Sequence, residues 1–286
     1  MKITVTNCVF PVESEMCGTI ERLAKIGFGG VDLCLDQCTN PNHPFNTDES
    51  QNYVNKLNDV IKKTGVDCPI SHLFGEADQS PKRFEPIIKA ISQIGTKISV
   101  LHPIWRIDDK VIHNDEQFLE INYKAFKEHL KTAEYYGVML CTENILWGSS
   151  AKPVIADKLV EEIGSEYFGW CFDTGHANIF DIKPKDIVGL KHTPALLHIH
   201  DNHGSPEWDK INMHASVGVD EHLIPYDGII NWGEFLKTLK EINYKGVFNL
   251  EASHQAYNAP DEEKDAILKQ LLTRAEKMVE EYNSLK

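Results

Sequence analysis

The chain has 286 residues, 42% of them hydrophobic and 25% charged, and a formal charge of −14. That is enough for one large domain or two small ones with the balance of an ordinary globular protein. It argues against a nucleic-acid partner, since no Lys/Arg cluster offsets the acidic surface, and against a membrane span, since no apolar run reaches ~18 residues.

The seven cysteines (Cys8, Cys17, Cys34, Cys38, Cys68, Cys141 and Cys171) are odd in number, scattered and without a Cys-x-x-Cys pair. They imply free thiols and a cytoplasmic protein rather than a disulfide framework. Lys-Ile-Thr-Val-Thr after Met1 reads as a strand and not as a signal peptide.

Taken in chain order, alternation of β-branched and apolar residues predicts strands over 3–9, 30–35, 66–73, 97–101, 138–142, 167–172, 195–199 and 247–250. Helical spacing predicts helices over 14–26, 50–64, 81–94, 115–136, 156–164, 184–190, 232–242 and 261–284. Several end at a glycine, as at Gly27, Gly65, Gly95 and Gly137. Strict β-α alternation implies parallel strands with right-handed crossovers. Eight such units, with no linker or internal boundary over residues 1–286, point to a single (β/α)8 TIM barrel, which needs about 250 residues. An open doubly wound sheet would show a Gly-rich phosphate loop after its first strand. Asn7-Cys8-Val9-Phe10-Pro11 is nothing like one. The long stretch between Asp201 and Asn231 follows the seventh strand and is expected to cover an active site.

A barrel collects its strand C-termini at one mouth, where the chemistry sits. The polar residues expected there are His72, His102, Glu143, Asp173 with His176, His198 and Glu251, and the long loop adds Asp220 and His222. Each alone reads equally as a helix cap or a packed histidine. Together they are nine nitrogen or oxygen donors on six strand ends and one loop. No cysteine joins them, so the set suits zinc, manganese or another borderline divalent ion. Buried carboxylates in such number need a cation to balance them. A Gly-x-Ser-x-Gly motif and a P-loop are both absent.

Five stretches, Thr142-Glu143-Asn144, Asp173-Thr174-Gly175-His176, His198-Ile199-His200-Asp201-Asn202, Asp220-Glu221-His222-Leu223-Ile224-Pro225 and Leu250-Glu251, resemble the motifs of the xylose isomerase-like TIM barrels. That superfamily holds sugar-phosphate isomerases and epimerases, ketose 3-epimerases, inosose-processing enzymes and endonuclease IV. The resemblance implies a metal-dependent sugar isomerase or epimerase with a small-molecule carbohydrate substrate, and homo-oligomers are common among such proteins. In the epimerase branch one divalent ion is held by a Glu, an Asp, a His and a Glu, which correspond to Glu143, Asp173, His198 and Glu251. The two glutamates there exchange a proton with the carbon beside the carbonyl, through a metal-stabilised enediolate. His176 corresponds to a substrate-contacting histidine.

In the endonuclease IV branch three zinc ions are bound, and all nine residues match: His72, His102 and Glu143; Glu143 with Asp173, His198 and Glu251; and His176, Asp220 and His222. This leaves a metal-dependent phosphoesterase as the alternative, with more than one ion per chain. The sequence departs from ketose 3-epimerases at Ser149, where they carry a second Glu, and at Gly204, where they carry an Arg. Trp105, Trp147, Trp208, Arg106, His200, His203 and His254 are further candidates for substrate contact or for support of the ligands.

Overall fold

A computed structural model describes residues 1–11, 15–205 and 219–285. Eight parallel strands form one sheet: β1 (Ile3–Thr6), β2 (Gly30–Cys34), β3 (Asp67–Glu76), β4 (Ile98–His102), β5 (Met139–Glu143), β6 (Phe168–Asp173), β7 (Leu196–His198) and β8 (Phe248–Leu250). Each strand pairs with the next, and β1 pairs with β8. The seam between β7 and β8 is joined by one parallel bridge, Ile199 to Leu250. Ile199 N–H donates to the Asn249 carbonyl at 2.8 Å, and Glu251 N–H donates to the Ile199 carbonyl at 3.0 Å. The sheet is thus a cylinder, and the fold is the expected TIM barrel.

Outside it lie α1 (Met16–Ile26), α2 (Ser50–Thr64), α3 (Pro81–Gln93), α4 (Asp115–Tyr136), α5 (Pro153–Ile163), α6 (Thr174–Ile179), α7 (Trp232–Glu241), α8 (His254–Asn258) and α9 (Asp261–Ser284). Their apolar faces bury Leu23, Phe84, Phe126, Leu159, Phe235 and Leu271 against the outer wall of the sheet. Each such side chain contributes roughly 1.5–3 kcal/mol. A smaller group, Ile70, Val100, Cys141, Cys171 and Leu196, packs separately from this layer. A polar chain is buried as well: Thr4 Oγ1 donates to Asn249 Oδ1 at 2.8 Å, and Asn249 Nδ2 donates to Asp32 Oδ2 at 2.7 Å. No described helix is long and apolar enough to cross a membrane.

Several boundaries differ from those read in the sequence. The first strand stops at Thr6 rather than 9. There the Thr6 hydroxyl takes the Cys8 N–H at 3.3 Å and the Asn7 side chain takes the Cys34 N–H, so a 3-10 turn replaces the extended chain. The third strand runs on to Glu76 through an irregularity after Leu73. The predicted helix over 184–190 is a 3-10 turn, Pro184–Ile187. A short hairpin, Arg106–Ile107 with Lys110–Val111, was not expected. Asp108 and Asp109 between its arms both have positive φ (47° and 58°), as a tight primed turn requires.

Candidate metal centre

The strand order delivers the expected residues to one mouth. His72 lies within β3, and β4, β5 and β6 end on His102, Glu143 and Asp173. Asp173 also caps α6, accepting the His176 N–H at 2.7 Å, so the Asp and the His of that motif are fixed together. His198 closes β7, and Glu251 directly follows β8. Asp220 and His222 come from the returning limb of the long loop.

Three groups of donors form there: His72, His102 and Glu143; Glu143, Asp173, His198 and Glu251; and His176, His200, Asp220 and His222. In the first, the two imidazole Nε2 atoms are 3.1 Å apart, and Glu143 Oε2 lies 3.7 and 3.5 Å from them. In the second, His198 Nδ1 sits 3.1 Å from Glu143 Oε1, 3.1 Å from Glu251 Oε2 and 3.9 Å from Asp173 Oδ2. In the third, Asp220 Oδ2 is 3.5 Å from His176 Nε2 and 3.1 Å from His222 Nε2. Donors bound at ~2.1 Å around a tetrahedral ion stand about 3.4 Å apart. Within the second group, Glu143 Oε1, Asp173 Oδ2 and Glu251 Oε2 all close on the one nitrogen.

Hydrogen bonds from behind hold these donors in place. His176 Nδ1–H donates to the Asn144 carbonyl at 2.9 Å, and His222 Nδ1–H donates to the Glu251 carbonyl at 2.9 Å. In both rings this leaves Nε2 as the nitrogen that faces Asp220, an arrangement common around metals. Asn144 clasps β6 in turn, accepting the Asp173 N–H at 2.8 Å and donating to its carbonyl at 3.1 Å. His200 Nε2–H reaches both Asp173 oxygens, at 3.0 and 3.1 Å, while its ring stacks on His222 at 3.9 Å. Gly175 makes room for that ring, since a Cβ there would come within 1.9 Å of His200 Cε1.

The charges are arranged for a cation. Burial is the largest influence on Glu143 and opposes its ionisation, but His198, His102 and His176 together outweigh it and hold the carboxyl well below the usual range. Burial likewise opposes the charge on His198, yet Cys171, Glu251 and Glu143 raise it well above an ordinary histidine. His222 is carried up to about 10 against its burial by Asp220, and His72 is pushed down to about 3 by burial and by His102. In the bare chain, protons on imidazoles balance the carboxylates, and a divalent ion would take their place. Of the seven buried side-chain atoms with no hydrogen-bond partner among the described residues, four, Glu143 Oε2, His198 Nε2, His200 Nδ1 and Asp220 Oδ1, belong to residues of these groups, and Asp32 Oδ1, Gln79 Oε1 and Trp147 Nε1 lie outside them. The nitrogen and oxygen donor set fits zinc or manganese.

The rim residues fall differently. Trp105 is buried, stacks on Trp147 at 4.1 Å and donates its Nε1–H to Glu76 Oε1 at 2.9 Å. Arg106 lies over the Trp105 ring and pairs with Glu76 and Asp109, each at 3.7 Å. His203 is held by Glu221, and His254 leans on the His222 ring. Ser149 is buried and donates to Asp115 Oδ1 at 2.6 Å. Trp208 lies outside the described residues. Asn144 stood within a quoted motif, but its role as a clasp between strands was not readable there.

A cleft of about 270 Å³ opens over the ends of β1 and β2, lined by residues that include Asn7, Cys8, Phe10, Cys34, Gln37 and Tyr53 and by none of the donors. Cys34 is in register with His72, so the cleft begins one strand from the donors.

Comparison with known proteins agrees with this architecture. The profile of the xylose isomerase-like TIM barrel family matches residues 20–274. "Uncharacterized protein MJ1311" of Methanocaldococcus jannaschii is 27% identical over 270 residues, covering 88% of this chain and 83% of that protein. Among solved structures, the "IOLI protein with a binding zinc atom" superposes with a TM-score of 0.76 at 16% identity over the full length of both chains. A "D-tagatose 3-epimerase-like protein" gives 0.71 at 21% identity, covering 99% of this chain and 100% of that one. The chain belongs to the xylose isomerase-like TIM barrel family.

Proposed function

We propose that the protein is a divalent-metal-dependent isomerase or epimerase acting on a sugar, sugar phosphate or polyol derivative. The observation that carries this reading is the meeting of Glu143 and Glu251 at one point, each 3.1 Å from His198 Nδ1. Epimerisation beside a carbonyl needs a base to take the proton from carbon and an acid to return it. The printed names of structural neighbours, a tagatose 3-epimerase-like protein and a zinc-binding protein, support it.

Glu143, Asp173, His198 and Glu251 would hold the principal ion, which, when bound, polarises the substrate carbonyl. Glu143 and Glu251 would then serve as the proton-transfer pair. Burial opposes the charge on both, but the histidines that face them, His198 foremost, hold each carboxyl below its ordinary range. The remainder of the substrate would extend into the cleft over β1 and β2, with His176, His200, Trp105 and Arg106 as further candidate contacts. Seven unpaired cysteines support a reducing, cytoplasmic setting.

The test is incubation with a panel of free and phosphorylated ketoses in deuterated water with Zn²⁺ or Mn²⁺. Deuterium at the carbon beside the carbonyl is the expected result. Release of phosphate with no label in carbon would instead establish the second reading, a metal-dependent phosphoesterase. That alternative is favoured by one specific observation, the three adjoining donor groups, because clustered ions suit phosphate-ester hydrolysis.

A further inference from the structure

Asp201, the residue after His200, is fully buried, and among the described residues no Lys, Arg or His forms an ion pair with it. Its carboxylate is instead filled with N–H donors. Oδ1 accepts from Asn202 N at 2.9 Å and Ile230 N at 3.1 Å; Oδ2 accepts from Tyr226 N at 3.0 Å and Trp232 Nε1 at 2.8 Å. Two of the four donors, Tyr226 and Ile230, belong to the limb that returns from the long loop, and a third, Trp232, opens α7 directly after it. The Asp201 backbone also exchanges two hydrogen bonds of 2.9 Å with Leu223, an antiparallel bridge next to His222. A Cβ on Gly228 would fall 2.3 Å from Asp201 Oδ1 and 2.4 Å from the Asn202 carbonyl, so the limb packs directly on this carboxylate.

The limb needs such anchoring. His222 and Tyr226 both have positive φ, 45° and 76°, a backbone that side-chain-bearing residues keep only where surrounding contacts impose it. One of these strained residues donates to Asp201 and the other precedes the bridge. Yet His222, with Asp220 two residues before it, supplies the donors that face His176.

We propose that Asp201 is the positioning residue of the third donor group. It ties the returning limb to the end of β7, sets Asp220 and His222 against His176, and so makes one cation site whose occupancy can be separated from the other two. This rests on the metal-binding reading above. Asp201 itself donates nothing to an ion, because both of its oxygens are already taken.

The experiment titrates the metal-stripped full-length protein with Zn²⁺ against a chromophoric chelator, with circular dichroism and melting temperature recorded for every variant. Asp201→Asn replaces one acceptor oxygen by an NH₂ group, and one ion per chain is expected to bind about 10- to 100-fold more weakly while the tighter ions keep wild-type affinity. Trp232→Phe removes a single donor and is expected to weaken the same ion by less. It carries the test alone if Asp201→Asn does not fold. His222→Ala should lose that ion outright, and adding Asp201→Asn to it should change nothing further. Folded Asp201 and Trp232 variants that keep the wild-type ion count and affinities overturn the assignment and leave the metal-binding reading intact. Equal weakening of every ion also overturns it, in favour of a general structural role. A wild-type protein that binds no Zn²⁺ removes both.

Discussion

The mouth of the barrel has two unlike sides. From β3 round to β8, every strand end brings an imidazole or a carboxylate into the donor groups. β1 and β2 bring none: Asn7 and Cys8 follow β1, Cys34 ends β2, and these three residues line the cleft. A ring of donors on all eight strands would leave no space for a substrate beside the ions. Under the proposed function, the difference would place chemistry on one side and room for the rest of a ligand on the other.

Four experiments would break or sharpen that contrast. The largest effect belongs to the donor side. Stripping metal with a chelator should abolish deuterium exchange into the responsive sugar, and Zn²⁺ or Mn²⁺ should restore it; exchange that survives chelation breaks the assignment. Next, Glu251→Gln should slow exchange by about 10²–10⁴-fold, as for loss of a general acid or base, while the protein still melts cooperatively. Single-turnover labelling would show this.

Asp32, on β2 beneath the cleft side, provides the third. Burial raises its carboxyl to about 6 from an ordinary 3.8, with His198 opposing the rise. A raised acid holds its proton more tightly when folded, so its ionisation erodes stability as pH climbs from about 4 to about 6. Asn cannot ionise and can still accept from Asn249. Asp32→Asn should therefore leave metal-free stability unchanged near pH 4 and raise it above pH 6 by up to about 3 kcal/mol, at 1.36 kcal/mol per unit. Denaturant unfolding at pH 4 and pH 8 measures this. The smallest effect is on the cleft side: Gln37→Trp should raise KM about tenfold, ~1.4 kcal/mol, with kcat and metal content unchanged. A fall in kcat instead would mean that the cleft takes part in the chemistry.

Much of the donor side was legible in the sequence, because its residues are polar types placed where apolar runs end. His72, His102, Glu143, Asp173, His198 and Glu251 were all found in that way, and the barrel's convergence did the rest. What could not be read depends on partners far along the chain. Asp201 looked like one polar residue among several, since its donors lie up to 31 residues later and three are backbone groups. His200 was a candidate substrate contact. That it lies in the third donor group, bonded to Asp173, depends on how β6 and β7 pair and on the space over Gly175. The hairpin after β4 was legible in principle, since Asp108-Asp109 is a turn signal between β-branched residues. The early end of β1 was not, because the Cys34 N–H that draws off Asn7 belongs to another strand.

The seam of the cylinder gives the donor side another meaning. β7 and β8 meet through a single bridge at Ile199 and Leu250, and the residues flanking that joint, His198 and Glu251, face each other across it. An ion gripped by both would act as a clasp on the least-stitched edge of the fold. Loss of metal would then loosen the stave-to-stave closure of the barrel as well as disarm its chemistry.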